Sequence, residues 1–252
     1  MAGELAGRVA LVTGAGGAGC GGAIARRFAA EGASIIVMES HERRALAIAE
    51  ELRQSYGVKA MACVVDIADR TAVDAALAEA GGELGPVDIL VNNAAINVQG
   101  SIFNYAPETF DKVLAVDFTA CWYLIRQTIG GMRDRGWGSI INVSSVAGYI
   151  GGGGIEAPYA ASKAALHDLT RGTAVEGGPH GIRCNGIAVG MVWSKFLERD
   201  YEFYRPAVEQ TPLRRVAQPE EIAEIALFLA SERSSFITGE IVNASGGFYL
   251  GL

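Results

Sequence analysis

The stretch TGAGGAGCGG, residues 13–22, carries six glycines in ten positions. The segment before it, RVALVT at 8–13, has the pattern of a buried strand, and GGAIARRFAAEG at 21–32 has helical period. In such a turn the backbone N–H groups and the helix N-terminus converge on one spot, which favours an anion. Glycine also lets the backbone approach a phosphate closely. We therefore expect residues 13–22 to form a phosphate cradle.

The alternation of strand and helix continues along the chain. Apolar segments rich in β-branched residues predict further strands at 33–39, 59–66, 87–94, 138–145, 181–190 and 239–247, with stretches of helical period between them. This order predicts parallel strands joined by right-handed crossovers, with helices on both faces of the sheet. The expected fold class is α/β: one domain over residues 1–252, built on a doubly wound, mainly parallel sheet of seven strands.

Composition narrows the function classes. The 252 residues carry a formal charge of -7, which argues against nucleic acid as a partner. No apolar run reaches the length of about 18 residues that a membrane span needs, and the start MAGELAGRVALV lacks the features of a secretory signal, so we expect a cytoplasmic protein without a membrane partner. The four cysteines form no CxxC pair and the three histidines fit no ligand spacing, so no metal site is predicted.

Glu39 ends the second predicted strand. It lies at the distance downstream of the glycines at which an acidic residue binds the adenosine ribose hydroxyls in NAD-binding folds. A carboxylate there repels a 2′-phosphate, so NAD is favoured and NADP is the less favoured cofactor. Two alternatives stay open, since Glu39 could end the strand in solvent, and His41, Arg43 and Arg44 could still hold a phosphate.

Three residues in SSVAGYIGGGGIEAPYAASK, at 144–163, carry candidate redox chemistry. Tyr159 and Lys163 are four apart and share one face of a helix. A cation near a phenol stabilises the phenolate, which makes proton exchange feasible near neutral pH. The hydroxyl of Ser145 can hold a substrate oxygen while charge develops on it. These parts suit hydride transfer at a carbon whose oxygen gains or loses a proton.

With these motifs the chain resembles the short-chain dehydrogenase/reductase family over essentially its whole length. The matching stretches are TGAGGAGCGGAIA at 13–25, Asp66, VNNAA at 91–95, VSSVAG at 143–148, YAASKAAL at 159–166, GIRCNGIAVG at 181–190 and PEEIAEIALFLASERSSFITGEIVNASGG at 219–247. The resemblance implies a Rossmann fold, a nicotinamide cofactor and interconversion of a secondary alcohol and a ketone.

The resemblance also implies roles for individual residues. Ser145 would anchor the substrate oxygen, Tyr159 would be the acid/base, and Lys163 would bind the nicotinamide ribose and lower the pKa of Tyr159. The implied cofactor contacts are Gly14, Gly19 and Gly21 at the pyrophosphate, Glu39 at the adenosine ribose, Asp66 and Ile67 at the adenine edge, Asn92, Asn93 and Ala94 at the floor of the groove, and Val192 and Ser194 at the carboxamide.

The chain departs from the family pattern at several points. Asp117 stands where the family usually has a catalytic asparagine, and we expect it to shift the pH optimum while activity is retained; a role limited to a helix bend is the alternative. The glycine loop and the Ser145 to Tyr159 segment are each one residue longer than usual. The literal frame Gly14-x-Gly16-x-x-Gly19 therefore competes with a frame built on Gly14, Gly19 and Gly21, in which 16–18 bulges away from the phosphates.

The segment 191–216 is expected to close over the substrate as a lid. Its aromatic residues suggest an apolar pocket wall, or else packing of the lid itself; they are Trp193, Phe196, Tyr201, Phe203 and Tyr204. The favoured substrate is a hydrophobic, cyclic or aromatic alcohol or ketone. The alternatives are an NADPH-dependent 3-oxoacyl-[acyl-carrier-protein] reductase and a nucleotide-binding scaffold or sensor without turnover. The resemblance further implies a homotetramer.

Overall fold

A seven-stranded sheet forms the centre of the computed structural model, which describes residues 3–199 and 201–251, and only the backbone of Phe196 and Phe203. The sheet order is β3-β2-β1-β4-β5-β6-β7, and every strand pair is parallel. The strands are β1 (Val9–Thr13), β2 (Ser34–Glu39), β3 (Ala60–Val64), β4 (Ile89–Asn92), β5 (Gly138–Ser145), β6 (Ile182–Val189) and β7 (Ile241–Ala244). The predicted doubly wound α/β fold is confirmed.

Ten α-helices lie around the sheet in the described part of the chain. They are α1 (Cys20–Ala30), α2 (Glu42–Tyr56), α3 (Arg70–Leu84), α4 (Pro107–Leu114), α5 (Ala120–Arg135), α6 (Ala147–Ile150), α7 (Ala157–Gly177), α8 (Lys195–Arg199), α9 (Tyr201–Gln210) and α10 (Pro219–Ala230). Apolar residues of α1, α2 and α10 pack with one face of the sheet, and those of α3, α5 and α7 with the other. None of the described helices is long and apolar enough to cross a bilayer.

Local sequence explains where several elements begin and end. Asp69 precedes α3, and its carboxylate accepts the N–H groups of Thr71 and Ala72, which caps the first turn. At α10 the carboxylate of Glu221 reaches back to the N–H of Gln218 at 2.8 Å. These caps fix the residues at which the two helices begin.

The stretch of helical period at 107–136 does not form one regular α-helix. A π-helical segment, Ala115–Thr119, separates α4 from α5 and contains Asp117 at its centre. The carboxylate of Asp117 accepts the N–H of Ile96 at 2.8 Å, a bond that ties the widened turn to the loop after β4. Single wide turns of this kind are frequent at functional sites. The sequence pattern missed the interruption because the apolar period runs through it.

The carboxyl ends of β1 and β4 lie side by side at the point where the strand order reverses. In open α/β sheets this is where ligands bind. The hydroxyl of Thr13 locks the two ends together: it donates to the carbonyl of Val91 at 3.3 Å and accepts the N–H groups of Asn93 and Ala94 at 2.9 and 3.0 Å. These hydrogen bonds fix the distance between the two strand ends, and so the base of the crevice above them.

Candidate active site

The glycine loop is shaped by close approaches of its own backbone. Gly14 has φ of +64°, and a Cβ there would lie 2.9 Å from the Cα of Ala94. A Cβ on Gly21 would collide with the side-chain amide of Asn93 and with the carbonyl of Gly14. Gly19 caps α1 without a side-chain bond to the first turn, so the helix N-terminus stays open to an anion. The loop therefore fits the pyrophosphate of a dinucleotide.

The middle of the loop is occupied by bonds within the protein. The N–H of Gly16 donates to Glu39 Oε2 at 3.1 Å, and the carbonyl of Gly17 accepts from Arg26 at 3.3 Å. A Cβ on Gly22 would collide with that same carbonyl. This arrangement favours the frame in which Gly14, Gly19 and Gly21 face the phosphates.

Two cavities flank the glycine loop. Gly14 lines the first, of about 470 Å³, and Gly19 lines the second, of about 480 Å³. Of the residues predicted to hold the cofactor, the first cavity is lined by Gly14, Glu39, Asp66, Ile67, Asn93 and Ala94. The second is lined by Gly19, Val192 and Ser194 from the cofactor prediction and by Ser145 and Tyr159 from the catalytic one. The loop thus has residues predicted to bind the adenosine half of the cofactor on one side and the predicted catalytic residues Ser145 and Tyr159 on the other.

Glu39 is the charged group at the loop side of the first cavity. Its carboxylate is buried and accepts the N–H groups of Gly16 and His41, each at 3.1 Å. Arg44 lies 3.4 Å from the same carboxylate, on the wall of the same cavity. The alternative of a solvent-exposed strand end does not describe Glu39, since it is only 8% exposed.

Two predicted cofactor residues lie elsewhere than expected. Asp66 follows β3 instead of closing it, because the strand ends at Val64; it lines the first cavity from the loop. Asn92 is buried beneath the crevice, lines neither cavity, and donates from its amide to Asn142 Oδ1 at 2.8 Å. Asn93, the next residue, is the one that faces the first cavity.

Ser145, Tyr159 and Lys163 come together beside the second cavity, which Ser145 and Tyr159 line. Ser145 ends β5, and its hydroxyl acts to lower the pKa of Tyr159. Lys163 is 2% exposed, donates to the carbonyl of Val143 at 3.2 Å, and holds its Nζ 5.4 Å from the ring centre of Tyr159. One turn of α7 therefore presents a phenol above a buried cation.

Burial and neighbouring groups have opposite effects on the pKa of Tyr159. Burial raises this pKa above its ordinary value of 10, while the charge of Lys163 and the hydroxyl of Ser145 act to lower it. The lysine acts in the predicted direction, but desolvation of the phenolate outweighs it in this structure. Tyr159 is thus protonated at neutral pH.

Asp117 adds a second titrating group beside Lys163. It is fully buried, and its Oδ2 has no hydrogen-bond partner among the described residues. Burial raises the pKa of Asp117 to about 6, against the opposing effects of the Lys163 charge and the Ile96 N–H. A carboxylate whose pKa is close to neutral is therefore coupled electrostatically to Lys163 and Tyr159.

Some residues at the site were not predicted from sequence. They are Asn97, Glu156 and Phe248, which line the second cavity. Tyr204 on α9 lines it too, and its place in the aromatic segment expected to form the lid had suggested this. Ser194 accepts the N–H of Leu197 at 3.1 Å and so caps α8 as well as lining the cavity.

Comparisons with known proteins agree with this geometry. A family model described as enoyl-(acyl carrier protein) reductase matches residues 14–249. The 3α-hydroxysteroid dehydrogenase of Mediterraneibacter gnavus is 35% identical over 247 residues, which cover 96% of this chain and 97% of that protein.

Two solved structures are similar over nearly all of both chains. L-sorbose reductase of Gluconobacter frateurii, crystallised with NADPH and L-sorbose, has a TM-score of 0.92 at 31% identity and covers 100% of each chain. A 3-oxoacyl-[acyl-carrier protein] reductase of Brucella melitensis with bound NAD has a TM-score of 0.90 at 33% identity, covering 98% of this chain and 95% of that chain. With such matches along the whole fold and site, the chain belongs to the short-chain dehydrogenase/reductase family, whose members are oxidoreductases acting on CH–OH groups.

Proposed function

We propose that the protein is an NAD-dependent oxidoreductase that interconverts a hydrophobic secondary alcohol and its ketone. The observation that carries this proposal is the pair Ser145 and Tyr159 at the wall of a cavity that the glycine loop also reaches, with the buried Lys163 behind the Tyr159 ring. When bound, the nicotinamide cofactor supplies or accepts the hydride.

The side chains have complementary tasks in this reaction. In the reducing direction the Ser145 hydroxyl donates a hydrogen bond to the ketone oxygen, and Tyr159 transfers its phenolic proton to that oxygen. The buried ammonium of Lys163 stabilises the resulting phenolate. In the oxidising direction the phenolate takes the proton of the alcohol, and the same cation again balances the charge.

The preference for NAD rests on Glu39. Its buried carboxylate lines the first cavity, where it can accept hydrogen bonds from ribose hydroxyls and repels a 2′-phosphate. Arg44, the nearest basic side chain, is already directed at that carboxylate. A site with this charge arrangement favours the cofactor without the phosphate.

The substrate class follows from the walls of the second cavity. Most of its lining side chains are apolar, including Ile150, Ile155, Met191, Leu197 and Phe248. Trp193 and Tyr204 add aromatic surface from the segment at 191–216, which we propose acts as the lid; the side chains of Phe196 and Phe203 lie outside the described residues. Such walls suit a ring alcohol or its ketone, and the relative from Mediterraneibacter gnavus is named for a hydroxysteroid.

The second candidate is an NADPH-dependent 3-oxoacyl-[acyl-carrier-protein] reductase. The apolar cavity would also accept an acyl chain, and the Brucella neighbour is a 3-oxoacyl-[acyl-carrier protein] reductase, although its structure contains NAD. Glu39 argues against NADPH, however, and the glycine loop offers no basic residue inside it. Steady-state kinetics with both cofactors and with ring ketones and 3-oxoacyl thioesters separate the two candidates: a strong preference for NADPH and the thioester would replace our proposal with this one.

Turnover itself is tested with Tyr159→Phe. We expect this variant to lose about 10²- to 10⁴-fold in ketone reduction and to keep NADH binding, because only the proton donor is removed. Tyr56→Phe is the matched control, since Tyr56 is exposed at the end of α2. If NADH binds but no ketone consumes it, and Tyr159→Phe changes nothing, the protein is a nucleotide-binding scaffold or sensor.

We further propose that the protein assembles as a homotetramer through α5 and α7. Trp122 on α5 is 41% exposed and Val175 on α7 is 77% exposed, which leaves apolar surface on both helices. Native mass measurement gives the subunit number directly. A monomer at micromolar concentration would contradict this part of the proposal.

A further inference from the structure

One carboxylate lies in the wall of the otherwise apolar second cavity. Among the described lining residues, Glu156 is the one acidic side chain. It is the residue just before α7 and lies three positions ahead of Tyr159. The residue is half-buried, so part of its carboxylate faces the open space of the cavity.

The protein satisfies only one oxygen of this carboxylate. The side-chain amides of Asn97 and Gln99 both donate to Oε1, at 2.8 and 3.2 Å. No hydrogen bond to Oε2 comes from the part of the chain that the structure describes. The orientation of Asn97 is fixed by this contact, because an amide oxygen cannot donate to a carboxylate, and Asn97 Oδ1 is left buried without a partner.

The glycines at 151–154 leave the space in which this side chain lies. A Cβ on Gly152 would lie 2.9 Å from the Cβ of Glu156 and 3.4 Å from its Oε2. Gly152 also has φ of +64°, a conformation that other residues rarely adopt. The glycine run that lengthens the Ser145 to Tyr159 segment thus keeps the unpaired oxygen uncrowded.

A purely structural role explains only part of this arrangement. Gln99 also bonds the hydroxyl of Tyr204 on α9 at 2.5 Å, so Oε1 of Glu156 is linked through Gln99 to the lid segment. That link accounts for Oε1 and for the two amides. It leaves Oε2 as an acceptor, three residues from the acid/base.

We propose that Glu156 is a specificity-determining residue whose Oε2 accepts a hydrogen bond from a second hydroxyl group of the substrate. The substrate is then a hydrophobic ring ketone that also carries a ring hydroxyl, or the corresponding diol in the oxidising direction. A carboxylate or phosphate on the substrate is disfavoured at this position, because it would meet a like charge. This inference rests on the proposed function and narrows its substrate class.

The test compares hydroxycyclohexanone with cyclohexanone, with the hydroxyl placed at each ring position in turn. For the wild-type enzyme we expect kcat/KM to favour the best hydroxy ketone by roughly tenfold to hundredfold, as a hydrogen bond to a charged acceptor does. In Glu156→Leu the ratio falls to about one, and in Glu156→Gln, which keeps the shape of the side chain, it falls several-fold. Glu108→Gln, an exposed carboxylate on α4, is the control and keeps the wild-type ratio.

The outcomes separate this inference from the proposed function. Reduction of either ketone by the wild-type enzyme supports the proposed function whatever the ratio is, and reduction of none contradicts it. A wild-type ratio near one, or a ratio that Glu156→Leu leaves unchanged while both rates fall together, would restrict Glu156 to anchoring the lid and overturn the inference. NADH binding by each variant checks that it is folded, and Glu156→Gln carries the test if Glu156→Leu is not.

Discussion

Asp117→Asn is expected to stabilise the folded protein increasingly as pH rises. The wild-type carboxylate is buried, with one oxygen bonded to the Ile96 N–H at 2.8 Å and the other without a partner. An asparagine has the same shape and keeps an oxygen for that N–H, but it has no charge to desolvate. The substitution therefore isolates the free-energy cost of burying a carboxylate at this position.

The size and sign of the effect follow from the pKa of Asp117, which burial raises from 3.8 to about 6. A raised pKa in the folded state means that the protonated group stabilises the fold, fully below pH 3.8, and that this contribution is lost as pH rises through about 6. A shift of about two units corresponds to about 3 kcal/mol, all of it lost by pH 8 and roughly half of it by pH 5. The stability difference between Asp117→Asn and wild type should thus grow by about 1.4 kcal/mol between pH 5 and 8.

Urea unfolding at fixed protein concentration, repeated at pH 5, 6, 7 and 8, measures this difference. Asp168→Asn is the matched control, because Asp168 is an exposed carboxylate on α7 and its removal should add no such pH dependence. A difference between Asp117→Asn and wild type that stays constant from pH 5 to 8 would refute the reasoning and show that the buried carboxylate does not titrate in this range.

Three other predictions concern the cofactor and the reaction. Asp117→Asn should move the ascending, acidic limb of the pH–rate profile for alcohol oxidation to lower pH, because the Asp117 charge raises the pKa of Tyr159 and the phenolate is the base; a profile that coincides with wild type contradicts this. Glu39→Ser should raise the ratio of kcat/KM with NADPH to kcat/KM with NADH by roughly tenfold or more, because it removes a negative charge from the first cavity and frees Arg44 to bind a phosphate. An unchanged ratio would show that Glu39 does not select the cofactor. Gly22→Ala should lower the free energy of unfolding by about 1–3 kcal/mol and weaken NADH binding, because the new Cβ collides with the Gly17 carbonyl. A urea midpoint equal to that of the wild type would show that the loop can move aside.

The sheet could be predicted from sequence because its signals are local and repeated. Most strands are short runs rich in β-branched residues, as SIIVME in β2 and GSIINVSS in β5 show, and the strands before β7 are followed by stretches of helical period. Strand ends were less certain: β3 stops at Val64 instead of Asp66, because the apolar pattern continues past the last ladder bond. The π-helical turn at Asp117 escaped prediction for a related reason, since it depends on a bond to Ile96, which lies 21 residues earlier in the chain.

The site was predicted where a motif determines its own geometry and missed where distant segments meet. Tyr159 and Lys163 share a helix face by spacing alone, and the structure places them together. The place of Glu156 at the site could not be predicted from sequence, because it depends on hydrogen bonds from Asn97 and Gln99. These two residues lie in a loop more than 50 residues earlier in the chain. Asn92 was placed at the cofactor by its motif, whereas strand alternation turns it towards Asn142 and leaves Asn93 at the first cavity.

The hydrogen bonds of Thr13 between β1 and β4 constrain the order in which the chain can fold. β1 can pair with β2 early, but its other edge stays open until Ile89–Asn92 has been synthesised and returns beside it. The bonds from Thr13 to Val91, Asn93 and Ala94 span 78 to 81 residues, so they form only through a non-local encounter of the slow kind. A nascent chain that stops before residue 89 therefore exposes an unpaired strand edge, and closing that edge and forming the crevice between the two strand ends are one folding event.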